Sequence, residues 1–219
     1  MTFRSVKAIL IMALLIFVLA ACGGDDNTPD ATSPAQTTTT DTSGVNLSQS
    51  ITTTDDAGGV LTTSYPEGWF AQEFGGSIGI GNAAAVFTSD AQSIPSGQVV
   101  GTVLALPTEM LGLLGLGENP SAVDVLANFM NTTLNEDPDS QYTVGEPQSF
   151  TTNGKNAVMQ TGTGTDTNGT SDVAFVMVES GAGFILLSFV APQGEIAGYD
   201  AQIRAIAGSA DYTVPEAAG

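Results

Sequence analysis

Side chains that commonly do chemistry are scarce in this chain: one cysteine, Cys22, no histidine, and four basic residues against 23 acidic ones. Ser-His-Asp and Cys-His nucleophile systems and His-ligated zinc all need an imidazole, and a disulfide within the chain needs a second thiol, so these classes are excluded. Carboxylates remain. Asp166, Asn168 and Asp172 surround Gly169 in a way that suggests a calcium loop. An EF-hand places its glycine sixth, whereas here it falls fourth, and a polar hairpin turn accounts for the same residues. Glu136, Asp137 and Asp139, interrupted by Pro138, allow the same two readings, weak calcium binding or an exposed acidic loop. A carboxylate pair could also hydrolyse a glycosidic bond, but no motif selects two of the many acids. No catalytic constellation and no cofactor-binding motif is recognised.

Cys22 has a more specific setting. Arg4 and Lys7 precede an uninterrupted apolar run from Ala8 to Ala21, shorter than the about 20 residues that a membrane-spanning helix needs. A positive start, a short apolar core and small residues at its end make an export signal. The run closes on Leu19-Ala20-Ala21-Cys22, which resembles the lipobox of bacterial lipoproteins. That resemblance implies cleavage before Cys22 and attachment of diacylglycerol and palmitate-type chains to its thiol and new amino group. Each buried methylene contributes about 0.8 kcal/mol, so two or three chains hold permanently where one would not. The resemblance also implies the outer face of the cell membrane, or another envelope membrane, as the location.

Charge supports that division of labour. The chain carries a net charge of −19, and removal of Arg4 and Lys7 leaves only Lys155 and Arg204 as cations. No basic patch can track phosphates, so nucleic acid is excluded as a partner. Anionic head groups repel the domain, and attachment must come from lipid on Cys22. The remaining expected partner is an unidentified envelope protein.

One apolar segment stands apart. Met110, Leu111, Leu113, Leu114 and Leu116 alternate with Gly112, Gly115 and Gly117, and each glycine weakens a helix by about 1 kcal/mol. The segment reads either as a hydrophobic binding flap or as a short helix or loop covering a sheet.

The elements that position these groups follow from patterning. Residues 1–21 form the signal, and residues 22–59, rich in Thr, Ser, Gly and Asp, read as a disordered tether. Residues 60–214 form one globular domain and 215–219 a tail. Strands are expected at Val60–Tyr65, from Trp69-Phe70, and at Ser77–Gly81, Ala84–Thr88, Gln98–Leu106, Gln148–Thr152, Asn156–Thr165, Asp172–Glu179 and Phe184–Ala191. Asn153-Gly154 marks a tight hairpin. Asn119-Pro120 starts a helix with Val123, Leu126, Ala127, Met130 and Leu134 on its apolar stripe, and Ile196, Tyr199, Ile203 and Ile206 mark a second. The runs from Val173 to Val178 and from Phe184 to Val190 are apolar at nearly every position, so both faces of these central strands must be covered. The expected fold class is α+β, an antiparallel sheet with helices on its faces.

The element Ser64-Tyr65-Pro66-Glu67-Gly68-Trp69, the Asn153-Gly154 hairpin and the closing strand and helix from Phe184 to Tyr212 resemble the PsbP/Mog1-like superfamily. The resemblance covers roughly Val60 to Val214. It implies an α/β/α sandwich and a non-catalytic role as a protein-binding or accessory module of a membrane complex. No functional residue of the group carries over. The two alternatives are a module binding calcium or a small ligand, and a carboxylate-based hydrolase.

Overall fold

The computed structural model describes residues 44–87, 94–117, 119–134, 141–166 and 169–215. Cys22 and the whole signal segment lie outside them, as do Glu136, Asp137, Asp139 and Asn168. The elements run β1 (Leu47–Thr54), β2 (Val60–Pro66), β3 (Phe70–Phe74), β4 (Ser77–Gly81), β5 (Val100–Pro107), α1 (Thr108–Leu113) and α2 (Ala122–Phe129). They continue with β6 (Gln141–Val144), β7 (Gln148–Thr152), β8 (Lys155–Asp166), β9 (Gly169–Ser180), β10 (Gly183–Pro192), α3 (Asp200–Ser209) and β11 (Asp211–Thr213).

An antiparallel sheet of eight strands forms the middle layer, in the order β3-β4-β5-β10-β9-β8-β6, with β7 also paired to β8. Its centre is the expected one. β10 pairs with β9 from Gly183↔Ser180 to Pro192↔Ser171 and with β5 from Gly183↔Pro107 to Val190↔Val100. Because side chains alternate between faces, each strand serves two cores. Ala174, Val176, Val178, Ile185, Leu187 and Phe189 pack on one face, and Val173, Phe175, Met177, Phe184 and Leu186 on the other. A near-continuous apolar strand is what burial on both faces demands, and both are covered.

The first face is covered by α3, through Ile203 and Ile206, and by a separate three-stranded antiparallel sheet, β1-β2-β11, which contributes Leu61 and Tyr212. The second face is covered by α1 and α2, through Leu111, Val125, Leu126 and Phe129. The α+β class with helices on both faces is therefore observed, and the second sheet is an addition to it.

Three local expectations are corrected. The tether was expected to reach Gly59, but Leu47–Thr54 is a strand paired with β2. Its composition misleads because only Leu47, Ile51 and Thr53 turn inward, which leaves serine and threonine on the wet side. The strand expected at Ala84–Thr88 is a 3-10 turn over Ala84–Phe87. The helix expected from Pro120 begins two residues later, at Ala122, with Ser121 as its N-cap. Its buried residues are Ala122, Val125, Leu126 and Phe129, so the stripe is turned from the one expected and Val123 is 36% exposed. Phe129, with the most apolar surface to bury, sets that rotation. A π turn, Met130–Leu134, ends the helix.

The Asn153-Gly154 hairpin forms as expected. Both residues have positive φ, 48° and 76°, as a type I′ turn requires. The turn is also anchored: Asn153 Nδ2 donates to the Gly208 carbonyl at 2.9 Å, and Lys155 Nζ donates to the Ala210 carbonyl at 2.6 Å and pairs with Asp211 at 2.9 Å. A cation among the last carbonyls of a helix is well placed against its dipole. One of the two cations beyond Cys22 thus fastens β8 to the end of α3.

Candidate functional site

Four described carboxylates, Asp55, Asp124, Asp172 and Glu195, accept from backbone amides. Asp172, nine-tenths buried on β9, accepts hydrogen bonds from the amides of Gly194 at 2.9 Å and Ile196 at 3.2 Å, and so holds the turn after β10. Glu195 in that turn reaches across to the loop before β5, accepting from Ser96 Oγ at 2.5 Å and from the Gly97 amide at 2.7 Å. The Ser96 hydroxyl first, and the Gly97 amide second, hold its carboxyl below the usual range. Asn82 extends the brace, with Nδ2 donating to the Gly97 carbonyl and Oδ1 accepting from the Val99 amide, both at 2.9 Å.

The same use of acids recurs elsewhere. Asp55 accepts from the amides of Ala57 and Gly59 and, at 2.7 Å, from the Tyr212 hydroxyl. Burial first, then the bond to Asp55, pushes the Tyr212 phenol far above its ordinary value. Asp124 completes a capping box with Ser121, accepting from the Ser121 amide at 3.0 Å, and the Ser121 hydroxyl lowers its carboxyl.

Of the two readings of this stretch, a calcium loop or a polar hairpin turn, the register of Asp172 fits the turn. Asp172 pairs with Thr163, whereas Asp166 pairs with Gly169 at the hairpin tip. Three strand residues separate it from the tip, about 10 Å, and its oxygens already face backbone amides. Among the described residues, no three of His, Cys, Asp and Glu gather to hold a metal ion.

The glycine-leucine segment is an ordered cover. Thr108 begins α1 against the Ala182 carbonyl, reached by both its amide and its hydroxyl at 3.2 Å. The helix ends in a Schellman motif: Leu116 N–H donates to the Leu111 carbonyl and Gly115 N–H to the Gly112 carbonyl, both at 3.2 Å, with Gly115 at φ 73°. Leu111 is 4% exposed in the second core and half-buried Leu116 packs against that core. Met110 and Leu114 are half-buried, and the Leu113 side chain is outside the described set.

Two features escaped sequence reasoning. Trp69 packs edge-on to Tyr199 with centroids 6.4 Å apart, Asn82 reaches the Tyr199 hydroxyl at 3.3 Å, and Phe70 beside them is 46% exposed. The pairing of Trp69 with Phe70 was visible, but which of them faces water depends on the β3 register. Arg204 is buried on α3, with Nε on the Asp200 carboxylate at 2.9 Å and its guanidinium 4.4 Å over the Phe150 ring. Its place four residues after Asp200 was the available signal.

The layers above define an α+β domain of two apolar cores on one antiparallel sheet. No family model and no curated protein matches the chain. Among solved structures it is similar to LpqN, involved in cell envelope biogenesis of Mycobacterium tuberculosis, at TM-score 0.41 and 16% identity over 76% of this chain and 91% of that one. It is also similar to cyanobacterial PsbP from Synechocystis, at 0.41 and 13% over 78% and 96%. A third likeness is to a Pseudomonas aeruginosa protein of unknown function, PA94, at 0.43 and 12% over 71% and 92%. Scores and identities this low assign neither family nor function, and the fold class rests on the chain's own strand order.

Proposed function

We propose that this protein is a non-catalytic envelope lipoprotein, held to a membrane by lipid on Cys22, whose PsbP/Mog1-like domain binds another envelope protein as an accessory module. The observation that carries the non-catalytic part is the use of Asp55, Asp124, Asp172 and Glu195 as backbone braces. A carboxylate that acts as an acid, base or nucleophile must meet a substrate, whereas these four meet amides of their own chain. Lipid attachment rests on Leu19-Ala20-Ala21-Cys22 and on a charge that offers no other attraction to a membrane.

Feeding cells a clickable fatty acid tests the anchor. Wild-type chain takes up label and fractionates with membranes, and Cys22→Ser takes up none while its domain stays folded. An unlabelled wild-type chain would overturn the anchor. Crosslinked pull-down of the lipidated protein from native membranes tests the accessory role. Substrate turnover by the isolated protein, abolished by one carboxylate substitution, would overturn it.

A further inference from the structure

Among the described residues, five strands form the four edges of the two sheets, and short length, charge and proline guard all of these edges but one. β11 is three residues long, carries Asp211 and runs into Pro215. β3 is five residues long and carries Glu73, whose carboxylate turns back to accept from Thr53 Oγ1 at 2.7 Å. β6 and β7 share one edge of β8 as pieces of four and five residues, broken by Gly145-Glu146-Pro147. β1 differs. It is eight residues long, has neither charge nor proline, and among the described residues pairs only with β2. Its one irregularity is a register shift between Leu47 and Gln49. Short length, charges, proline and bulges are what keep free edges from pairing, and from Gln49 to Thr54 this edge has none of them.

We infer that β1 is a self-association edge, at which two copies of this chain pair antiparallel about a two-fold axis and join their small sheets into one of six strands. Charge selects a second copy as the occupant. In a strongly acidic chain, no ionisable side chain lies between Asp41 and Asp55, and the Glu73 carboxylate that reaches β1 is bound to inward-facing Thr53, so this is where two copies can approach. A basic partner would be drawn to the acidic surface elsewhere. In a two-fold pair, Asp55 and Asp56 of each copy lie at the Leu47 end of the other. The two acidic ends then stand roughly 25 Å apart at about 3.3 Å per residue, beyond the screening length of about 8 Å. Exposed Ser50, Thr52 and Thr54 meet their counterparts across the seam, where β-branched and hydroxyl side chains pair favourably. One short strand pair falls below the about 1,200 Å² of a stable interface, so the dimer is weak and dissociates on dilution.

The test is light scattering that separates protein from detergent mass, applied to the full chain over a concentration series. Wild type is expected to move from monomer to dimer as concentration rises. The double variant Ser50→Lys, Thr52→Lys sets like charges across the seam and is expected to weaken dimerisation about tenfold or more. Gln49→Glu, beside Asp55 and Asp56 of the other copy, gives a second, milder variant, and near-UV circular dichroism of Trp69 confirms that each is folded. Gln141→Lys, on the opposite edge, should dimerise as wild type does. Wild type that stays monomeric at every concentration, or folded variants at positions 49, 50 and 52 that dimerise undiminished, would overturn the inference.

Discussion

The two faces of the central sheet are held by different means. The first face adds polar braces to the apolar contacts of α3 and the small sheet: Asp172 on the Gly194 turn, Glu195 and Asn82 on the loop before β5, Lys155 on the end of α3, and Asp55 on Tyr212. The second is closed by apolar contact under α1 and α2, with polar bonds confined to the helix ends. The difference follows from what each cover is made of. Helices satisfy their own backbone except at their termini, so α1 and α2 need only capping. The first face carries long connections whose amides must find partners when the loops fold down, and acidic side chains supply them.

The comparison breaks most sharply at the second face. Phe129, 1% exposed in α2, fills the core between Val158, Phe175 and Met177. Phe129→Ala is expected to cost about 3 to 5 kcal/mol in a denaturant melt. A loss under about 1 kcal/mol would show that packing does not hold this face. On the first face, Asp172→Ala leaves the buried Ile196 amide and the more exposed Gly194 amide without their acceptor and is expected to cost about 2 kcal/mol. Asp172→Asn, which keeps one acceptor, should recover part of that loss. Equal losses for Ala and Asn would show that the brace contributes through packing and not through its bonds.

The same contrast explains what could be read from the sequence. The second core was legible: the apolar runs of β9 and β10 announce two covered faces, and Asn153-Gly154 fixes a hairpin by local chemistry alone. The braces were not. Asp172 has the sequence look of a calcium ligand near Asp166, because nothing local shows that the Gly194 turn returns to it across the fold. β1 was hidden by its serine and threonine, since its stability comes from pairing with β2 and not from its own apolar content. Arg204 was legible only as one of two cations left in an acidic chain, and its burial over Phe150 depends on where α3 docks.

The glycines of α1 offer the smallest effect and the finest distinction between cover and flap. Gly115 holds φ 73° at the Schellman position, while Gly112 sits inside the helix, and a methyl added at either meets no atom within 4 Å. The space is thus the same and only the backbone differs. Gly115→Ala must place an L side chain in the left-handed region and is expected to lose about 1 kcal/mol. Gly112→Ala gains helix propensity and is expected to add up to about 1 kcal/mol. Opposite signs in paired melts would show that α1 is held in its capped form in solution. If both substitutions were neutral, the segment would not hold that cap, and Met110, Leu114 and Leu116 would be free to act as a flap. If Gly112→Ala stabilised the fold yet weakened capture of a partner, α1 would have to unwind when it binds, which joins the cover and the binding surface in one segment.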